Sequence, residues 1–108
     1  MKVEISHHVD ASEKDVNGDY EWHYEYDLYC FSNDQRAYVA RSYSDDCSEA
    51  HFLRKENVPK AQESGSMLSR DDLVDPLFLA AVGYLRTNGK TDVQWLGKGD
   101  AAYQAVSV

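Results

Sequence analysis

The sequence predicts an α+β fold, in which an antiparallel sheet of about five strands carries one main helix on one face. Three observations lead to this fold: alternating apolar and polar residues in the first part of the chain, a helical repeat over residues 70–87, and strand-like segments after that repeat. The element order is β-β-β-α-β-β, with a short extra helix or turn before the main helix. A chain of 108 residues has the usual size of one domain, so residues 1–108 are treated as a single α+β domain.

The first three strands are predicted from period-two alternation. Residues 2–9 alternate as a half-buried strand does, and residues 20–31 alternate more strongly. A turn at 32–35 leads into a third strand at 36–44, so we expect an antiparallel hairpin of residues 20–31 with 36–44. The longer strand would span roughly 40 Å at about 3.4 Å per residue, so a bulge or bend is expected.

The alternation over residues 20–31 separates two faces. The face assigned to the core is aromatic and apolar: Tyr20, Trp22, Tyr24, Tyr26, Leu28 and Cys30. The face assigned to solvent is acidic over most of its length: Glu21, His23, Glu25, Asp27, Tyr29 and Phe31. The helix is expected to pack on the first of these faces.

The segment 47–55 is ambiguous. Asp46 and Glu49 are spaced as in a capping box, which favours a short helix there, although a strand remains open. Residues 57–68 show no period and are predicted to be a surface loop at the edge of a site.

The main helix has clear start and stop signals. Ser69 with Asp72 forms a second capping-box pattern, and Asp75 followed by Pro76 offers another helix start. We expect a helical region over 70–87, bent or restarted at Pro76 and closed by Asn88-Gly89. A C-terminal hairpin then follows, with strands at 92–96 and 102–108.

The charge is uneven along the chain. The net charge is −8, and the first 35 residues hold nine acidic and two basic side chains. This field repels phosphate backbones and anionic lipids, so neither nucleic acid nor a membrane is expected as a partner, whereas a basic protein would be attracted. No apolar run reaches the roughly 20 residues of a membrane span, and no secretory signal pattern opens the chain, so a soluble cytoplasmic protein with two reduced cysteines is expected.

Two groups of residues have the composition of reactive sites. His23, Glu25 and Asp27 have metal-ligand side chains, but positions two apart on a strand lie almost 7 Å apart while zinc ligands lie about 2 Å from the ion. We therefore expect no metal and no cofactor. Cys47 and His51 would share one side of a helix over 47–55 as a weak nucleophile–base candidate, although Asp45 and Asp46 oppose thiolate formation.

The function predicted first is non-enzymatic. The acidic, tyrosine-containing sheet face would bind a basic protein partner, as small acidic inhibitors and immunity proteins of similar size and charge do. Its contact residues are predicted to be Glu21, His23, Glu25, Asp27 and Tyr29. The alternatives are a small enzyme using Cys47 and His51, and a homodimer that pairs through the sheet face or through the strand 102–108.

Overall fold

The alternating segments form a β-sheet, and the segment with the helical repeat forms a helical layer on one face of that sheet. A computed structural model describes residues 1–57, 66–97 and 102–106, and in these residues six strands form one sheet with one main helix against it. The strands are β1 (Lys2–Ala11), β2 (His23–Ser32), β3 (Arg36–Tyr43), β4 (Glu49–Asn57), β5 (Asp92–Trp95) and β6 (Gln104–Ala105). A short 3₁₀ helix (Arg70–Val74) precedes the main helix α1 (Pro76–Thr87). The predicted α+β class with one main helix is confirmed.

The strands lie side by side in chain order. β1 to β4 form an antiparallel meander, α1 crosses over the sheet, and β5 therefore enters parallel to β4 before β6 turns back against β5. The expected hairpin of β2 with β3 is present, but the irregular register lies between β3 and β4, at Val39/Ala40, and not in β2. The sheet is antiparallel except at the β4–β5 pair.

The prediction of a short helix over 47–55 is wrong. Residues from Glu49 onward form β4, because Ala50 and Phe52 alternate into the core and both are fully buried. The capping-box pattern lies in the turn before β4, where the Ser48 hydroxyl donates to Asp46 Oδ1 at 3.3 Å. The pattern identified a turn that looks locally like the start of a helix.

The predicted break at Pro76 is confirmed. Asp75 caps α1 by accepting a hydrogen bond from the backbone N–H of Leu77 at 3.0 Å, and Ser69 with Asp72 completes a capping box on the 3₁₀ helix. Gly89 ends the region with a φ of +89°, the conformation that favours glycine after a helix.

Parts of three predicted segments lie outside the described residues. These are 58–65 of the predicted loop, 98–101 of the turn in the C-terminal hairpin, and 107–108 of the last predicted strand. The described part of that strand is β6, which pairs with β5 as expected.

The assignment of faces in β2 is wrong. The register pairs Phe31 with Tyr38 of β3, and these odd positions of β2 point to the helix side, where Tyr29 and Phe31 join the core. The helix contributes the other half of that core: Leu77, Phe78, Ala81, Val82 and Leu85. Core residues of β3, β4 and β5 pack against the helix together with those of β2. The alternation within β2 alone therefore could not predict which of its faces the helix covers.

A polar network anchors the helical layer to the sheet. Tyr38 Oη lies 2.9 Å from Asp72 Oδ1 and 2.7 Å from Asp75 Oδ2, and its buried O–H donates to these carboxylates. Lys55 Nζ donates to Asp72 Oδ2 at 2.9 Å, and Arg36 Nη1 donates to Asp75 Oδ2 at 3.0 Å. These bonds hold the start of α1 over β3 and β4, which leaves the far end of β1 and β2 uncovered.

Candidate functional site

The uncovered part of the β1–β2 hairpin is called the arm here and comprises residues 7–27. Its connection is ordered by Asp15, whose side chain accepts from the backbone N–H groups of Asn17 and Asp19 at 2.8 and 3.0 Å. Gly18 turns the chain with a φ of +82°, a conformation that glycine adopts without strain. The arm is therefore a defined hairpin whose side chains face solvent on both sides.

A depression forms where the arm extends past the third strand. β3 ends at Tyr43, opposite Tyr26, whereas β2 begins three residues earlier, at His23. The turn after β3 stays close, since the backbone N–H of Ser44 donates to the carbonyl of Glu25 at 2.9 Å. The result is an open depression of about 310 Å³, lined by His23, Tyr24, Glu25, Ser44 and Asp45. That volume is at the small end for ligand sites, so it suits one side chain of a partner.

Carboxylates dominate the charge of this depression. Glu25 lies between two imidazoles, with His23 Nε2 at 3.7 Å and His7 Nε2 at 3.5 Å. Asp45 is exposed, and its carboxylate makes no hydrogen bond or ion pair with another described residue. Asp27 lies behind the depression, where a 2.8 Å hydrogen bond to Asp27 raises the pKa of His7. The local field is negative and is softened only by histidine.

Exposed aromatic side chains lie along the arm, and one of them, Tyr24, lines the depression. Tyr20, Trp22 and Tyr24 are each about half exposed. The rings are held by neighbours, because Tyr20 contacts the His23 ring at a centroid distance of 5.2 Å and Tyr24 meets the edge of Tyr43 at 6.1 Å. Rings ordered before binding lose little conformational entropy when a partner arrives.

The structure brings together most of the predicted contact residues. Glu21, His23, Glu25 and Asp27 all lie on the arm and reach solvent, although on the helix side of the sheet beyond the end of the helical layer. Tyr29 is a correction, since it is only 7% exposed and packs in the core, so it cannot be a contact residue.

Sequence reasoning missed Tyr24, Ser44 and Asp45. Tyr24 was assigned to the core with the other even positions of residues 20–31, yet it is 51% exposed. The available signal was the unequal length of the two predicted hairpin strands, 20–31 against 36–44, which predicts that one strand extends past the other.

The predicted Cys47 and His51 pair is not formed on a helix. Cys47 lies in the exposed turn before β4, and His51 lies within β4 on the side of the sheet away from α1. His51 stacks on Tyr103 at a centroid distance of 4.7 Å, and burial lowers its pKa. Without the helix, the geometric reason for pairing these two residues is gone.

A second acidic group lies beside His51. The Asp46 carboxylate, through a hydrogen bond, together with desolvation and the nearby Asp92 carboxylate, raises the pKa of Glu49 to about 7. Glu49 Oε2 is 3.8 Å from His51 Nε2. The charge at the start of β4 is therefore expected to change with pH near neutrality.

Among the described residues, no three histidine, cysteine, aspartate or glutamate side chains are grouped so that they could hold a metal ion. The helices in the described part of the chain include none long and apolar enough to cross a membrane.

Comparison with known proteins found no relative of this chain. The chain matches no protein-family model, and it gives no significant match to a curated protein or to a solved structure.

Proposed function

We propose that the protein is a non-enzymatic binding module that captures a basic protein surface with its arm, and that an arginine or lysine side chain of the partner enters the depression. The observation that carries this proposal is that two carboxylates, Glu25 and Asp45, and the aromatic residue Tyr24 line one depression. A cation between two carboxylates and an aromatic ring gains both ion pairs and a cation–π contact.

Long-range attraction supports the same partner. The first 35 residues carry nine acidic and two basic side chains, and the arm lies within them. Such a field raises the association rate with a basic surface and falls as salt is added.

The protein's own contacts show that its tyrosines accept cations in this way. The Arg41 guanidinium lies 4.8 Å from the centroid of Tyr43, and Lys14 Nζ lies 5.4 Å from the centroid of Tyr20. Arginine is favoured over lysine for the depression because its planar group can donate to both carboxylates at once. Tyr24 points to the other face of the sheet from Glu25, so its ring meets the partner at the open edge of β2.

We also propose a cytoplasmic location. The exposed Cys47 forms no disulfide bond, and an exposed reduced thiol fits a reducing compartment.

The test uses an eight-residue peptide of alternating arginine and glycine as the probe, with binding followed by calorimetry at low salt. The double variant Glu25→Lys, Asp45→Lys should lose at least tenfold in affinity, because both carboxylates of the depression are reversed. Tyr24→Ala should lose about two- to fivefold, the size of an exposed cation–π contact.

The matched control is Asp34→Lys with Asp71→Lys, which makes the same change in net charge at two exposed positions away from the arm. Its affinity should stay within about threefold of that of the unchanged protein. An equal loss in the two double variants would show that the peptide responds to net charge alone and would overturn the proposal.

A further inference from the structure

The outer edge of β1 is a long strand edge without a partner. All ten residues of β1 pair with β2 in a continuous register, from Lys2 opposite Ser32 to Ala11 opposite His23. Within residues 1–57, 66–97 and 102–106, no strand pairs with the other edge of β1. Natural proteins usually blunt such an edge with a short strand, a proline, a bulge or charged side chains. β1 is ten residues long and has no proline and no bulge, and its charged residues, Lys2, Glu4 and Asp10, are of both signs, so they oppose some pairings and favour others. The opposite edge of the sheet, β6, is only two residues long.

We infer that β1 pairs with β1 of a second copy of this chain, antiparallel, about a two-fold axis at Ser6. Residues directly opposite in an antiparallel pair must point to the same face, and successive residues alternate between faces. In a symmetric pair, even-numbered residues therefore face even-numbered residues, and the axis must pass through a residue opposite its own copy. With the axis at Ser6, residues 2–10 of one copy all lie opposite residues of the other copy, which is almost the whole of β1.

The charges of β1 select the same register. With Ser6 on the axis, Lys2 faces Asp10 of the other copy, and Glu4 faces His8, and each pair occurs twice by symmetry. Moving the axis to His7 would place Glu4 opposite Asp10, a repulsive pair that also occurs twice. Moving it to Ile5 would leave Asp10 beyond the end of the paired region. Only the register centred on Ser6 matches both acidic residues with a basic or hydrogen-bonding residue.

Apolar side chains gain cover in this register. Ile5 and Val9 are 53% and 57% exposed although they lie on the helix side of the sheet. In the pair, Val9 faces Val3 of the other copy and Ile5 lies against the ring of His7, so both exposed apolar side chains gain a neighbour across the edge. The axis is perpendicular to the sheet, so both copies of α1 lie on the same side of a continuous twelve-stranded sheet.

Two existing contacts involve residues of this register: Lys2 with Glu4, and Ser6 Oγ with His8 Nε2 at 2.8 Å. Lys2 Nζ lies 2.8 Å from Glu4 Oε1, and both side chains are largely exposed. Such a surface pair contributes little, so Lys2 is available to Asp10 of the second copy. This inference does not depend on the proposed peptide binding, because the depression is on the β3 side of β2, away from the free edge of β1.

The first test is sedimentation velocity over a range of protein concentrations. The unchanged chain should show a reversible dimer, and Lys2→Glu or Asp10→Lys alone should weaken the dimer about tenfold or more, since each creates two repulsive pairs. The combined variant Lys2→Glu, Asp10→Lys should restore it. Arg70→Glu and Asp71→Lys are controls for the same charge changes at exposed positions off the strand and should leave the dimer unchanged.

The second test locates the axis. In a Cys30→Ser, Cys47→Ser background, Ser6→Cys should form an intermolecular disulfide on mild oxidation, because residues directly opposite in an antiparallel pair lie within disulfide distance. His8→Cys should not, because the two copies of position 8 lie four residues apart, about 13 Å along the strand. A chain that stays monomeric at all concentrations would overturn the inference, as would a dimer insensitive to the charge swap or a cross-link at position 8 in place of position 6.

Discussion

The two ends of β2 differ in whether the helical layer covers them. At its C-terminal end Tyr29 and Phe31 lie in the core, and Phe31 is fully buried, whereas at its N-terminal end His23 and Glu25 point to the same face and reach solvent. The alternation is continuous along the strand, so the difference comes from what lies above it. The helical layer ends near Tyr29, and the arm beyond it is available for binding.

The part of the sheet that the helical layer covers also has the more deeply buried polar contacts. Asp72 has a side chain that is 3% exposed and is held by the Ser69 backbone N–H, Lys55 and Tyr38. On the arm, by contrast, His7, Glu25 and Asp27 interact while largely exposed. Buried pairs are costly to break, and exposed pairs contribute little. The comparison predicts that changes at one end alter stability and changes at the other alter binding.

The largest expected effect is on the core end of β2. Phe31→Ala should lower the free energy of unfolding by about 3–5 kcal/mol, because it leaves a cavity between Phe52 and Tyr84. Tyr24→Ala on the same strand should cost about 1 kcal/mol or less, because that ring is half exposed. Urea unfolding of both variants measures the difference, and equal losses would contradict the division of β2 into two regions.

The next effect concerns the polar anchor of the helical layer. Asp72→Ala should destabilise by about 3 kcal/mol, because Lys55, the Ser69 N–H and the Tyr38 O–H would lose a buried acceptor. Burial alone would raise the pKa of Asp72, but the Ser69 N–H, Lys55 and Tyr38 outweigh burial and lower it.

The sign of the pH effect follows from that lowered pKa. A carboxylate whose pKa is lowered on folding contributes stability above its unfolded pKa of about 3.9 and loses it as the pH falls through the folded value. Urea unfolding at pH 7 and pH 3 should therefore show a larger loss on acidification for the unchanged protein than for Asp72→Ala. An equal slope in the two proteins would contradict the anchoring role.

The first three strands, the two helix starts and the final strand pair could be predicted because local signals determine them, whereas β4 was missing from the predicted order. Pro76, the Asp75 cap and Gly89 act within a few residues of where they stand. The face of β2 could not be predicted, since the core side depends on the register of Phe31 with Tyr38 and on where α1 ends. The sequence left 47–55 open between helix and strand and favoured the helix, because Asp46 and Glu49 have capping-box spacing; in the structure these two residues belong to the turn before β4, where the Glu49 N–H donates to the Asp46 carbonyl at 3.2 Å.

The candidate site shows the same limit. Glu21, His23, Glu25 and Asp27 were predictable from their alternation and charge. Asp45 was not, because it reaches the depression only through the β3–β4 turn, which folds back against the arm. Contacts between segments distant in sequence decide which residues complete a site.

The smallest expected effect on stability comes from Glu49, at the start of β4. The pKa of Glu49 is raised from its ordinary value near 4.5 to about 7, so stability should fall as the pH rises through that range and Glu49 ionises beside Asp46 and Asp92. Glu49→Gln should raise the melting temperature at pH 8 and change it little at pH 5, by less than the effect of Asp72→Ala. His51 is present in both proteins, so its own titration cancels to first order in the difference. An unchanged difference between pH 5 and pH 8 would contradict the carboxylate cluster.

The most direct test of the central claim, that the arm is the binding surface, is an amide ¹H–¹⁵N chemical-shift titration with the arginine–glycine peptide. The account predicts the largest shifts at His23, Tyr24, Glu25, Ser44 and Asp45, the residues that line the depression. Shifts concentrated instead at Asp46, Glu49 and Asp92, the other acidic group on the protein, would contradict it.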